Sequence, residues 1–234
     1  MKRLGVIGMI LGTTLSMAAC QAGPPAEQPP QSAPPSVPAG TPTELPATQE
    51  PATASVSEPP PVPPVLSPEE QANLNQELIA AAKANNVSLV QELIGRGGDV
   101  NAKDAIQDSA FLYAGAEGFN EVLQLTLAAG ADVASTNRYG GTALIPASEH
   151  GNVETVRILI DAGVPVNHVN NLGWTAMQEA ILLNNGGPRQ QEVVRLLLDA
   201  GADPYIRDPE GRTALQNAER LGFAEIAALI RSRG

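Results

Sequence analysis

A fixed period constrains this chain more than any other feature. The segments GGDVNAKD, GADVASTN, GVPVNHVN and GADPYIRD begin at Gly97, Gly130, Gly163 and Gly201, spaced 33, 33 and 38 residues apart. A second anchor recurs in step: Ser109-Ala-Phe, Thr142-Ala-Leu, Thr175-Ala-Met and Thr213-Ala-Leu. A third is a lone glycine at Gly118, Gly151 and Gly222. Self-similarity at a period of 20–50 residues marks units that cannot bury their apolar faces alone and must stack.

Within a unit the order of signals is constant. Thr142 offers an N-cap hydroxyl to a first helix whose small-residue face is Ala143, Leu144 and Ala147. Pro146 falls in the first turns of that helix and removes one hydrogen bond. Gly151 stops it. Val153, Val156, Ile158, Leu159 and Ile160 form the apolar stripe of a second helix, which Gly163 ends in the left-handed conformation. A hairpin loop leads to the next unit.

These residues closely resemble the ankyrin repeat, with its TPLHxA start, EVVxLLL second helix and GADVN hairpin. Glu192-Val-Val-Arg-Leu-Leu-Leu198 and Gly201-Ala-Asp203 carry the likeness most fully. The resemblance implies an all-α solenoid over residues 67–234, with five repeats at about 67–103, 104–136, 137–169, 170–207 and 208–234. It departs from the family pattern in four ways. Ala replaces the Pro of TPLH throughout. The His is replaced by Leu112, Ile145, Gln178 and Gln216, which should remove the hydrogen bonds that tie adjacent hairpins. The second repeat, with Gln107-Asp108-Ser109, lacks the turn glycine, and the sequence leaves open whether it is regular. The fourth carries five extra residues within Asn184 to Gln191, where Gly186-Gly187 should break the chain and Pro188 begin a lengthened second helix. The outer repeats should serve as polar caps: the first pair, Pro68 to Arg96, is rich in Glu, Gln and Asn, and Arg231 stands where inner repeats have Ile160 or Leu198.

The N-terminal third reads differently. Lys2 and Arg3 precede an apolar stretch, Leu4 to Leu15, that is too short to span a bilayer comfortably. Met17-Ala18-Ala19-Cys20 resembles a bacterial lipoprotein signal, which implies cleavage after residue 19 and acylation of Cys20. Ordinary cleavage after Ala18, giving a soluble periplasmic protein, is the alternative. Gln21 in place of Asp favours the outer membrane, facing the periplasm. Fifteen of the 21 prolines fall in residues 21–66, a stretch with no Lys, Arg or aromatic residue. Such a segment buries too little to offset its ordering entropy, so residues 20–66 are expected to be a lipidated, disordered tether. Fully extended, it would reach roughly 140 Å.

Function is bounded mainly by exclusions. A net charge of −11 without a basic cluster disfavours nucleic acid. Cys20 is the lone cysteine, and His150 and His168 are not spaced as helix-borne ligands, so neither metal nor cofactor is expected. No set of nucleophile, base and orienting group accompanies them, and the chain is not expected to be an enzyme. A monomer that binds another protein is expected, as a scaffold or, alternatively, as an inhibitor or immunity-type protein against a toxin or hydrolase. By register the variable concave positions are Ile106, Asp108, Arg138, Tyr139, Glu149, His150, Leu172, Trp174, Leu182, Leu183, Arg207, Glu210, Arg212 and Arg220. Because aromatic and Arg residues dominate binding hot spots, Arg138, Tyr139, His150, Leu172, Trp174, Leu182, Leu183, Arg207 and Arg212 are the candidates for partner contact. The plainer readings are that Trp174 covers a neighbouring hairpin and that His150 sits at a helix C-terminus, where a cation is favoured.

Overall fold

A computed structural model describes residues 66–233. The signal segment, Cys20 and all of the tether but Leu66 lie outside the described residues. Among the described residues ten helices form five antiparallel pairs: α1 (Pro68–Lys83) with α2 (Val87–Gly95), α3 (Ala110–Glu117) with α4 (Asn120–Ala128), α5 (Leu144–Glu149) with α6 (Val153–Asp161), α7 (Ala176–Leu182) with α8 (Pro188–Asp199), and α9 (Ala214–Leu221) with α10 (Ala224–Arg233). First helices stack on first helices and second on second along the whole series. No strand occurs among the described residues.

One continuous aliphatic core runs through the stack, from Leu78 and Leu93 through Leu123, Leu144 and Leu159 to Leu197 and Ile226. Phe111 is the one fully buried aromatic ring among the described residues. With few aromatic rings to fill space, burial depends on many interlocking small chains. Gly115 shows the tolerance: a Cβ there would lie 2.8 Å from that of Ala143 in the next repeat.

The helix starts follow their sequences. Ser67 and Glu70 close a reciprocal capping box at α1, as do Thr175 with Gln178 and Thr213 with Gln216. Ser109 caps α3 by accepting from Leu112 N–H. Thr142, expected to do likewise, does not. In the other repeats the fourth residue after the cap donates its N–H to the cap carbonyl, as Tyr113 does to Ser109 at 3.0 Å. That residue here is Pro146, which has no N–H. Ile145 N–H turns to the Thr142 carbonyl instead, at 3.1 Å. The Thr142 hydroxyl is left buried without a partner, and α5 shrinks to six residues starting after Ala143.

One point the sequence leaves open is resolved, and one further expectation is corrected. The hairpin of the second repeat is regular. Gln107 adopts the left-handed conformation (φ 67°) that Gly140, Gly173 and Gly211 supply elsewhere. The bonds that shape the turn, Gln107 N–H to Asp104 and Asp104 N–H to Asp108, are retained. Nor is the tie between hairpins wholly lost with the His. Gln178 accepts from Thr175 N–H and donates its amide to the Ile206 carbonyl of the next hairpin, at 2.9 Å.

The insertion behaves as its glycines dictate. Gly186 has φ +67° and packs so tightly on Phe223 that a Cβ would fall 2.5 Å from the ring. Gly187 caps α8 with Pro188 in its first turn, and α8 runs to twelve residues against nine in α6. Asn184 anchors the loop by donating to the Glu149 carbonyl at 2.7 Å.

Candidate functional site

A concavity of about 300 Å³ opens over the second to fourth repeats. Its wall comes entirely from first helices, the residues just after them, and connector tips. Leu112, Tyr113, Ala116 and Glu117 lie on α3; Ile145, Pro146 and Glu149 on α5; Glu179 on α7. Asp108, Arg138, Tyr139, Asn170 and Leu172 come from the connectors. Second helices contribute none, because their apolar stripes are consumed in the stack.

Five of the nine predicted contact residues meet here: Arg138, Tyr139, His150, Leu172 and Leu183. Tyr139, Leu172 and Leu183 are 53%, 52% and 47% exposed, high values for side chains whose burial is favourable. Arg138 lies over the Tyr139 ring, 4.7 Å from its centre, and reaches Asp108 at 3.5 Å. Asp108 also receives Lys83 at 3.3 Å, so two cations from different repeats converge on one buried carboxylate. His150 ends α5, as expected for that position. Its Nδ1–H donates to the Ala116 carbonyl of α3 at 2.8 Å and fixes the ring across two repeats.

The other four lie elsewhere. Trp174 is half-buried, its indole N–H enclosed without a partner among the described residues, and does not line the concavity. Leu182 is half-buried. Arg207 is exposed and donates to the Gly211 carbonyl of its own loop. Arg212 is tied down by Asn217, Glu210 and Asp208.

Glu179 is the residue that the sequence reading passed over. It is 6% exposed, flanked on α7 by buried Gln178 and Ala180, and its Oε1 accepts from Asn170 at 2.7 Å. Burial pushes its carboxyl up to about 7, and the neighbouring Glu149 pushes the same way. The Asn170 bond and His150 oppose both. An available signal was its register: it occupies the fourth position after the cap, where Tyr113 and Pro146 also face the concavity.

Among the described residues no cluster of His, Cys, Asp and Glu could hold a metal ion, and no helix is long and apolar enough to cross a membrane.

A model of ankyrin repeats in three copies matches residues 78–168 and 111–208. The chain belongs to the ankyrin-repeat family. YahD, an ankyrin repeat protein of Escherichia coli (strain K12), is 50% identical over 56 residues, which are 24% of this chain and 28% of YahD. This chain therefore matches little more than a quarter of that relative's length. RF_p14 of Rickettsia felis, also an ankyrin repeat protein, is 34% identical over 56 residues, 24% of this chain and 89% of its own. The crystal structure of an ankyrin repeat domain from Acinetobacter baumannii AYE superposes with a TM-score of 0.66 at 58% identity, covering 67% of this chain and 80% of that one. The ankyrin repeat protein EF0377 gives 0.65 at 39% identity, with the same coverage. Ankyrin repeats generally mediate protein–protein interaction and are typically non-catalytic, and no enzyme family is indicated.

Proposed function

We propose that this ankyrin-repeat protein is an envelope-anchored scaffold that holds a periplasmic protein through the concavity of its second to fourth repeats. The observation that carries this reading is the convergence of Arg138, Tyr139, His150, Leu172 and Leu183 around one opening, with three large apolar side chains left half-exposed on an acidic chain. Cys20 supplies the lipid anchor to the outer membrane, and residues 21–66 supply the standoff; Met17-Ala18-Ala19-Cys20 supports this part of the reading. The carboxylates that line the concavity favour a basic target, which keeps an inhibitor or immunity role as the second reading.

The test compares capture of partners from envelope extracts by the full chain and by Arg138→Ala/Tyr139→Ala. The double variant should lose about 2 kcal/mol of affinity or more for any specific partner, with little change in thermal stability, since exposed tips bury little. Affinity unchanged, or lost only in step with stability, would return these residues to a structural role. Cys20→Ala should abolish acyl labelling and leave uncleaved precursor; absence of label in the unaltered protein would remove the anchor.

A further inference from the structure

The concavity is asymmetric in charge. Asp108, Glu117, Glu149 and Glu179 line it against one guanidinium, that of Arg138, and the His150 ring. Arg138 is itself engaged by Asp108 and the Tyr139 ring. At the opposite end, Glu149 and Glu117 form no ion pair among the described residues. Glu179 is more than nine-tenths buried, and its remaining surface opens into the space. Asn170 bonds one of its oxygens; no described residue bonds the other. A nearly buried carboxyl with one oxygen open to the space, beside a second carboxylate and with the His150 ring as its one nearby basic group, is under-neutralised. The walls between are apolar: Leu112, Ile145 and Leu172. An aliphatic stem with a charged head matches that sequence of surfaces. The volume, about 300 Å³, lies at the lower end of ligand clefts, roughly 300–1,000 Å³, and suits one long side chain with its local backbone.

We propose that the concavity receives a single basic side chain, Lys or Arg, presented by the partner protein, its stem against Leu112, Ile145 and Leu172 and its charge between Glu149 and Glu179. This rests on the reading that the concave face is the partner surface, and it specifies the chemistry of what enters. The net charge of −11 adds long-range attraction for a basic partner, while the two carboxylates select the residue.

The test titrates the full chain with blocked pentapeptides Leu-Gly-X-Gly-Leu, where X is Arg, Lys, Gln or Glu. The methyl resonances of Leu172 and Leu183 report occupancy. Arg and Lys peptides should shift them saturably, at least about tenfold more tightly than Gln, and Glu should not bind. Glu179→Gln combined with Glu149→Gln should reduce the preference for Arg over Gln to under about threefold. Should the double variant fold poorly, Glu149→Gln alone, on the pocket wall rather than in the core, should still halve the preference at least. Equal binding of Arg and Gln peptides, no saturation with any peptide up to about 10 mM, or a preference that survives both substitutions would overturn the inference. Loss of partner capture in Arg138→Ala/Tyr139→Ala, together with indifference to the basic residue, would sink this inference alone. Capture indifferent to every concave substitution would sink the functional reading beneath it.

Discussion

The fourth and fifth repeats carry the same acid–amide pair at the same two positions, in opposite order. In the fifth, Asp208 stands in the connector and receives the amide of Asn217 on α9 at 2.8 Å. In the fourth, Asn170 stands in the connector and gives its amide to Glu179 on α7 at 2.7 Å. The carboxyls respond oppositely. Burial opposes ionisation of Asp208. The Asn217 amide, the Arg212 and Glu210 backbone N–H groups and the Arg212 charge together outweigh it and hold the carboxyl below its ordinary range. Glu179 has burial and Glu149 against it and only one amide and His150 in support, so it is pushed up to about 7. The connector position is built to hold an anion, because its backbone N–H groups point inward. The helix position is not. An acid placed there costs stability, and such violations of local preference concentrate where a chain does its work.

The largest expected effect breaks this contrast. Glu179→Gln keeps an acceptor for Asn170 and removes the charge. The unfolded carboxyl titrates near 4.5 and the folded one near 7, so the folded state holds its proton longer. Stability is therefore undiminished below about pH 4.5, falls as pH rises between these values, and stays reduced above pH 7. The variant should be more stable than the parent by roughly 2–3 kcal/mol at pH 8, an upper figure because the site opens to solvent, and nearly equal at pH 4. Denaturant melts across that range read it directly. A constant difference at all pH values would mean that Glu179 titrates normally.

This contrast also marks what the sequence could reveal. Period and helix order were legible because the same short signals recur in step along the chain, and the start of α8 at Gly187-Pro188 because a cap and its first turn are adjacent in sequence. The concavity was legible only in part. Tyr139 and Leu172 announce themselves as large exposed side chains at tips. Glu179 does not, since α5, which packs on its helix and brings Glu149 beside it, comes from the preceding repeat. Trp174 shows the converse: residue type suggests contact, the plainer reading is structural cover, and its indole N–H is enclosed.

A smaller effect concerns the wall itself. Pro146→Ala should let the N–H at position 146 donate to the Thr142 carbonyl and free Ile145 N–H for the orphaned Thr142 hydroxyl, as in α3. A hydrogen bond and a cap of about 1 kcal/mol each, less about 0.4–1 kcal/mol of regained unfolded-state freedom, leave a gain near 1 kcal/mol. Thermal melts should show it, and Thr142→Val in the Pro146→Ala background should reverse it. Equal stability of parent and variant would place the origin of the short α5 in packing.

The smallest effect concerns how repeats are clamped to one another. Asn101 accepts from Asp132 N–H at 2.7 Å and donates to the Gly130 carbonyl at 3.1 Å; Asn167 does the same to Asp203 and Gly201, at 2.7 and 3.3 Å. Asn75 plays the accepting part toward Asp99 in the first repeat. At the junction between the connector over residues 130–141 and that over residues 163–174 both partners are gone together: Ala134 replaces the asparagine, and Pro165, with no N–H, replaces the aspartate. The junction is bonded at its tip instead, by His168 to the Gly140 carbonyl at 2.6 Å and by Asn171 N–H to the Tyr139 carbonyl at 2.9 Å. Those bonds fix the backbone that carries Tyr139 and relieve the base of the hairpin of that duty. Restoring the two partners should therefore be non-additive. Ala134→Asn alone can make only the bond to Gly163, and Pro165→Asp alone gains an N–H without an acceptor while losing the fixed φ of proline. Together they should recover about 0.5–1 kcal/mol beyond the sum of the single effects. A double-mutant cycle by denaturant melts measures that coupling. A value under about 0.3 kcal/mol, within the additivity of independent sites, would show that the two replacements at this junction are unrelated.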